Sequence, residues 1–242
     1  MNYLYLEVQI FFLSHTHYKR KMENLKKHKK SKSEQKQVFF ISIVFFICLL
    51  LHILPFTYKI IINLSEIFYF LMSMVILAFI IKNNRKKLTT FFLCVIPAIF
   101  GIYILQVISV NNNSIFGSFG YGSTFKHQIA GVPIIISLFW VVLIISALSL
   151  ASKITRNAIL RILYASLLLV ILDFLMEPVA MKLDYWQWEG KTVPLQNYAT
   201  WFIISFLITS VFAIVRMEPR SLVSRTFFLI LIAFFALLNI FL

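Results

Sequence analysis

LDFLMEPVAMKLDYWQWEGKTVPLQNYATW, residues 172–201, begins inside one apolar segment and ends at the start of another. Asp173 and Glu177 lie four residues apart, so on a helix they share a face. Pro178 follows at once. A polar, aromatic connection comes next, with Tyr185, Trp186, Trp188, Pro194, Asn197 and Trp201. Acids inside a membrane span are costly and read by default as functional groups. Two of the three acids that hydropathy places in spans are in this stretch.

The rest of the 242-residue chain supports a membrane reading, being 60% hydrophobic and only 13% charged. A soluble domain is closer to half apolar and a quarter charged. A net charge of +14 would suit a nucleic-acid binder, but the basic residues sit between apolar runs. There they act as topology signals and as contacts to anionic lipid, so no nucleic-acid partner is expected. Cys48 and Cys94 both lie in apolar runs and read as packing residues, with no disulfide framework and no CxxC pattern.

Run lengths predict an all-α, polytopic bundle of seven membrane helices, at about 38–57, 60–81, 88–109, 132–151, 158–178, 198–215 and 222–241. Residues 1–37 read as a separate basic arm, disordered or lying on the membrane surface, ahead of a helical domain over 38–242. Met22 is a candidate true start. The arm and alternate loops hold 19 Lys and Arg, against four (Lys59, Lys126, Lys182, Lys191) on the other side. That bias places the N-terminus in the cytoplasm and connections 110–131 and 179–197 outside, in a multi-pass protein of the cell membrane. The last span, free of charge after Arg225, reads as a lipid-facing helix.

A rise of about 1.5 Å per residue gives depths. Glu66 enters span two from outside and lies about 9 Å below the outer edge; Asp173 lies about 8 Å below it. Glu177 is near that edge, His52 is at a similar depth, and Gln106 is slightly shallower. The polar side chains thus share one level while coming from four helices. Each also has a plain structural reading. Glu66 can be an ion-pair or hydrogen-bond partner inside the bundle, His52 a packing histidine, Gln106 interhelical glue, and the tryptophans an interfacial belt. The Asp173–Glu177 pair is harder to set aside. Two carboxyls one turn apart repel if both ionise, so one is expected to keep a proton, as a general acid must. Segment 110–131 holds four of the six glycines and, with Phe116, Phe119 and Tyr121, can fold back over the outer mouth. It has no phosphate-loop pattern, and no metal-binding motif is present in the chain.

FGSFGYG (116–122), AGVPIIISLFW (130–140), LDFLMEPVA (172–180), YWQWEG (185–190), VPLQN (193–197) and Trp201 together resemble the carotenoid biosynthesis membrane protein family. Its characterised members include the CruF-type carotenoid 1,2-hydratases. The resemblance covers about residues 38–242, with the specific motifs in 116–201. It departs at His52, followed by Ile53, Leu54 and Pro55 where a glycine is expected nearby. The resemblance implies addition of water across the terminal C1–C2 double bond of an acyclic carotenoid end, of lycopene or γ-carotene type, without a redox cofactor.

The chemistry itself asks for an acid aimed at C2, a group to position water, and aromatic faces around a tertiary cation at C1. Asp173 is expected as the acid, with Glu177 or Glu66 as partner and base. Tyr121, Tyr185, Trp186, Trp188, Asn197, Trp201 and His52 are expected to bind the substrate. Two other readings stay open. A carotenoid end-group cyclase would protonate the same alkene without adding water. A transporter or lipid-binding membrane protein would use the acids to line a path, although no inverted repeat is visible.

Overall fold

The computed structural model describes residues 32–54 and 56–242. Residues 41–242 form one compact unit, and the helical residues 32–40 precede it. Seven helices follow in order: α1 (Lys32–Ile53), α2 (Tyr58–Asn83), α3 (Leu88–Asn112), α4 (Ile134–Ile154), α5 (Ala158–Lys182), α6 (Leu195–Ile214) and α7 (Leu222–Phe241). Each is long and apolar enough to cross a bilayer, so the chain is an all-α multi-pass membrane protein. In lipid the backbone must satisfy its own hydrogen bonds, which is why uninterrupted apolar runs become helices.

Residues 32–37 of the segment read as an arm are helical and belong to α1; residues 1–31, with Met22, lie outside the described residues. Span five was expected to end at Pro178, yet α5 runs on to Lys182. The proline removes one backbone donor, but Val179 and Ala180 are fully buried, and their packing holds the last turn in place. Asn157 starts this helix by accepting from the backbone N–H groups of Ile159 and Leu160, at 2.9 and 3.1 Å.

Helix α4 is the axis of the bundle. It packs against α2, α3, α5, α6 and α7, and 83% of its most apolar window is buried, against 44% or less for the others. Helix α7, expected to face lipid, does so on one side only: Leu229 and Ile240 are exposed. Phe227, Phe228, Leu231, Phe235 and Leu238 recur at three- and four-residue spacing and pack inward against α4 and α5. A sequence apolar all round hides which side is covered.

The connections after α3 and α5 meet at one end of the bundle. Strand β1 (Phe119–Tyr121) pairs antiparallel with β4 (Trp186–Trp188), with Phe119 opposite Trp188 and Tyr121 opposite Trp186. A smaller hairpin, β2 (Gln128–Ile129) with β3 (Val132–Pro133), leads into α4. Pairing of β1 with β4 requires both connections to lie on the same side of the membrane.

Candidate functional site

The site begins with α5. Asp173 and Glu177 stand one turn apart on its inner face, 0% and 2% exposed. Asn197, in the first turn of α6, bridges them. Its side-chain Nδ2 donates one hydrogen to Asp173 Oδ2 at 2.9 Å and the other to Glu177 Oε1 at 3.1 Å.

Strand β4 supplies the next contacts. Alternate side chains of a strand point the same way, so Trp186 and Trp188 are buried while Gln187 turns outward to Met181 O and Asp184. Both indole Nε1–H groups donate to Glu177 Oε2, at 2.8 and 2.7 Å. Three of the four carboxyl oxygens therefore accept N–H groups, and only Asp173 Oδ1, fully buried, has no partner. Among the described residues, neither carboxyl is hydrogen-bonded or ion-paired to a Lys or Arg.

Two glycines hold the strand pair in register. Gly117 sits at φ +106°, and a Cβ there would come within 2.7 Å of Pro194 Cγ. A Cβ on Gly122 would collide with the Asp184 carbonyl. Asp184 itself accepts from the Ser123 backbone N–H and hydroxyl, at 2.8 and 2.6 Å. The Ser123 hydroxyl is the largest of the influences that hold its carboxyl below the usual range.

Above Glu177 lies a small cavity lined by Glu177, Asn197 and Gln106 among aromatic rings. Trp140 and Trp201 stack at 3.7 Å and 22°, and Phe116 lies 5.0 Å from Trp201. Phe119, Tyr121, Trp186 and Trp188 complete the wall. Burial, followed by the charge of Glu177, pushes the Tyr121 phenol well above its ordinary range, so it stays a neutral hydroxyl. Gln106 Oε1 accepts from the Ser137 hydroxyl at 3.0 Å, which leaves its amide NH2 to donate elsewhere.

Of the residues expected at the site, Glu177, Asn197, Tyr121, Trp186, Trp188 and Trp201 line this cavity, and Asp173 lies beneath it. Glu66, His52 and Tyr185 are elsewhere. Glu66 accepts from the backbone N–H groups of Lys126 and His127, at 3.1 and 3.2 Å, and meets His127 Nδ1 at 3.1 Å. It anchors the loop between α3 and α4. His52 and Tyr185 line a separate crevice. Trp140 went unnoticed as a cavity residue, although it closes the motif AGVPIIISLFW.

The fold and site define a multi-pass membrane protein with a carboxyl pair buried beneath an aromatic cavity. The chain belongs to the family described as carotenoid biosynthesis protein, which it matches over residues 62–242. Its role is therefore in carotenoid biosynthesis. No curated protein and no solved structure matches it.

Proposed function

We propose that the protein is a carotenoid 1,2-hydratase-like enzyme of the cell's cytoplasmic membrane. It adds water across the terminal C1–C2 double bond of an acyclic end, of lycopene or γ-carotene type. The observation that carries the reading is the carboxyl pair joined by Asn197 and opening through Glu177 into a ring of aromatic faces. The acyclic end would enter among these rings, with the remaining chain lying among helices and lipid.

A proton shared by the pair rests on Asp173 Oδ1, the one oxygen without a donor. No hydrogen bond joins the two carboxyls directly, so the proton reaches Glu177, the member in the cavity wall, through water entering the cavity, and Glu177 then hands it to C2. The alkene's electron pair forms the new C2–H bond, leaving a tertiary cation at C1 between aromatic faces. Water attacks C1 and returns a proton to the pair, so the acid is regenerated. The Gln106 amide NH2 and the Asn197 carbonyl oxygen are the polar groups that hold this water. That polar pair in the aromatic wall favours hydration over cyclisation, which needs no water site.

The test is expression in a host making lycopene or γ-carotene. Hydration yields a pigment heavier by one water. A new pigment of unchanged mass would turn the reading to cyclisation. No new pigment from several acyclic substrates, with the protein present in the membrane, would remove the enzyme reading.

A further inference from the structure

A second crevice lies between α1, α2 and α7, away from the carboxyl cavity. Its wall includes His52, Ser65, Tyr185, Leu64, Phe68 and Phe234. His52 is 4% exposed, and its Nδ1 is 2.7 Å from the Cys48 carbonyl oxygen. A carbonyl can only accept, so Nδ1 carries the hydrogen and Nε2 of the neutral ring is a bare acceptor. That nitrogen is fully buried and has no partner. Buried polar atoms are nearly always paired, so an orphan in a cavity wall points to a missing ligand.

The surroundings define the ligand. Among the described residues no Lys or Arg lines the crevice, so none of them would hold a carboxylate or phosphate there. The other polar wall groups are neutral: the hydroxyls of Ser65, Tyr69 and Tyr185, with Ser65 Oγ and Tyr185 OH 3.2 Å apart, and the Cys48 thiol. The remaining wall residues are apolar. Leu64 is 47% exposed on a membrane helix, so the crevice opens sideways toward lipid. His52 is one residue from the end of α1, and Ser65 is about 10 Å into α2. The crevice therefore sits near the membrane boundary, where the hydroxyl of an amphiphile lies.

We propose that this crevice binds the hydroxyl end of a long apolar alcohol, whose O–H donates to His52 Nε2. The same chemistry is offered by a hydroxylated carotenoid and by a glycerolipid with a free hydroxyl. The site stands whether or not the carboxyl cavity hydrates anything.

The test uses the full chain in native membranes and two photoreactive probes. One is a C20 isoprenoid alcohol with a diazirine beside its hydroxyl; the other is the same chain ending in a methyl group. The alcohol is expected to label peptides containing Ile61–Phe68 or Phe234 about tenfold more strongly than the methyl-ended probe. His52→Phe is expected to abolish that preference while labelling by the methyl-ended probe persists. Equal labelling by the two probes in the unaltered protein overturns the proposal, since the void then holds only hydrocarbon or water. So does a preference that survives His52→Phe. The unaltered-protein comparison decides the matter even where the variant does not fold. Competition by a hydroxylated carotenoid or by diacylglycerol then identifies the source: the alcohol that displaces the probe at lower concentration is the natural ligand.

Discussion

Asp173→Asn separates chemistry from folding more cleanly than any other change at the site. Asp173 accepts one hydrogen bond, from Asn197 at 2.9 Å, and its second oxygen has no partner. An asparagine keeps the accepted bond through its amide oxygen and puts its NH2 where Oδ1 was. The structural loss is the exchange of a buried O–H for a buried NH2 at one position, about 1 kcal/mol, or about 2–4 °C in melting temperature for a chain of this size. The chemical loss is larger, because the amide cannot hold the proton that Glu177 delivers. Removing a positioned acid costs about 10²–10⁴-fold in rate. The assay is initial formation of hydrated pigment in membranes containing equal amounts of variant and unaltered protein, with thermal stability measured beside it. Turnover within threefold of the unaltered protein would refute the reasoning and take Asp173 out of the mechanism. Asp173→Ala is a poorer probe, since it strands a buried Asn197 donor and leaves a void, costs that mimic a catalytic loss.

Trp186→Phe and Trp188→Phe each remove one indole donor from Glu177 Oε2 while keeping an aromatic ring. Each is expected to slow turnover about tenfold or more, the worth of a hydrogen bond to a charged group, read as initial rates at equal protein. Gly122→Ala drives a methyl group into the Asp184 carbonyl; it is expected to disrupt the β1–β4 pair, seen as faster proteolysis between Gly117 and Pro194. The Asp184 carboxyl is held low in the folded protein. Its contribution is therefore complete above the ordinary carboxylate range and is lost as pH falls through the folded value. Melting temperature should drop on acidification, by less in Asp184→Asn. Glu66→Gln leaves the carboxyl cavity intact and is expected to keep at least half of the turnover while loosening the loop at Lys126 and His127, measured by hydrogen exchange.

The helices were legible because an apolar run of about 20 residues has few other structures open to it in lipid. The carboxyl pair was legible because four-residue spacing is itself a geometric statement. What depth arithmetic could not give was direction. Rise per residue puts Glu66, His52 and Asp173 at one level, but a helix also turns about 100° per residue, and its neighbours decide which faces meet. Glu66 faces the loop at Lys126, and His52 faces its own crevice. Asn197 was singled out, but its bridging role depends on the packing of α6 against α5, which no spacing encodes. The convergence of two indoles on one oxygen was half legible: the WxW alternation puts them on one face, while the strand that fixes it lies far earlier in the chain, Phe119 opposite Trp188.

Among the described residues, no basic side chain partners the carboxyl pair, and that bears on how such a site can work. A buried anion is usually matched by a Lys or Arg. Glu177 is met by two indoles and one amide, all neutral dipoles. A permanent cation would neutralise the pair in the resting state and then repel the cation formed on the substrate. Neutral donors hold the carboxylate in place and leave its charge uncompensated until positive charge appears at C1. The electrostatics are then completed by the transition state and not by the ground state, which is the condition for lowering a barrier. Introducing a lysine at Gln106, in the cavity wall, should on this argument bind to Glu177, stabilise the resting protein and reduce turnover by at least a hundredfold. Retained turnover in a Gln106→Lys protein shown to be folded would mean that no cation forms in this cavity.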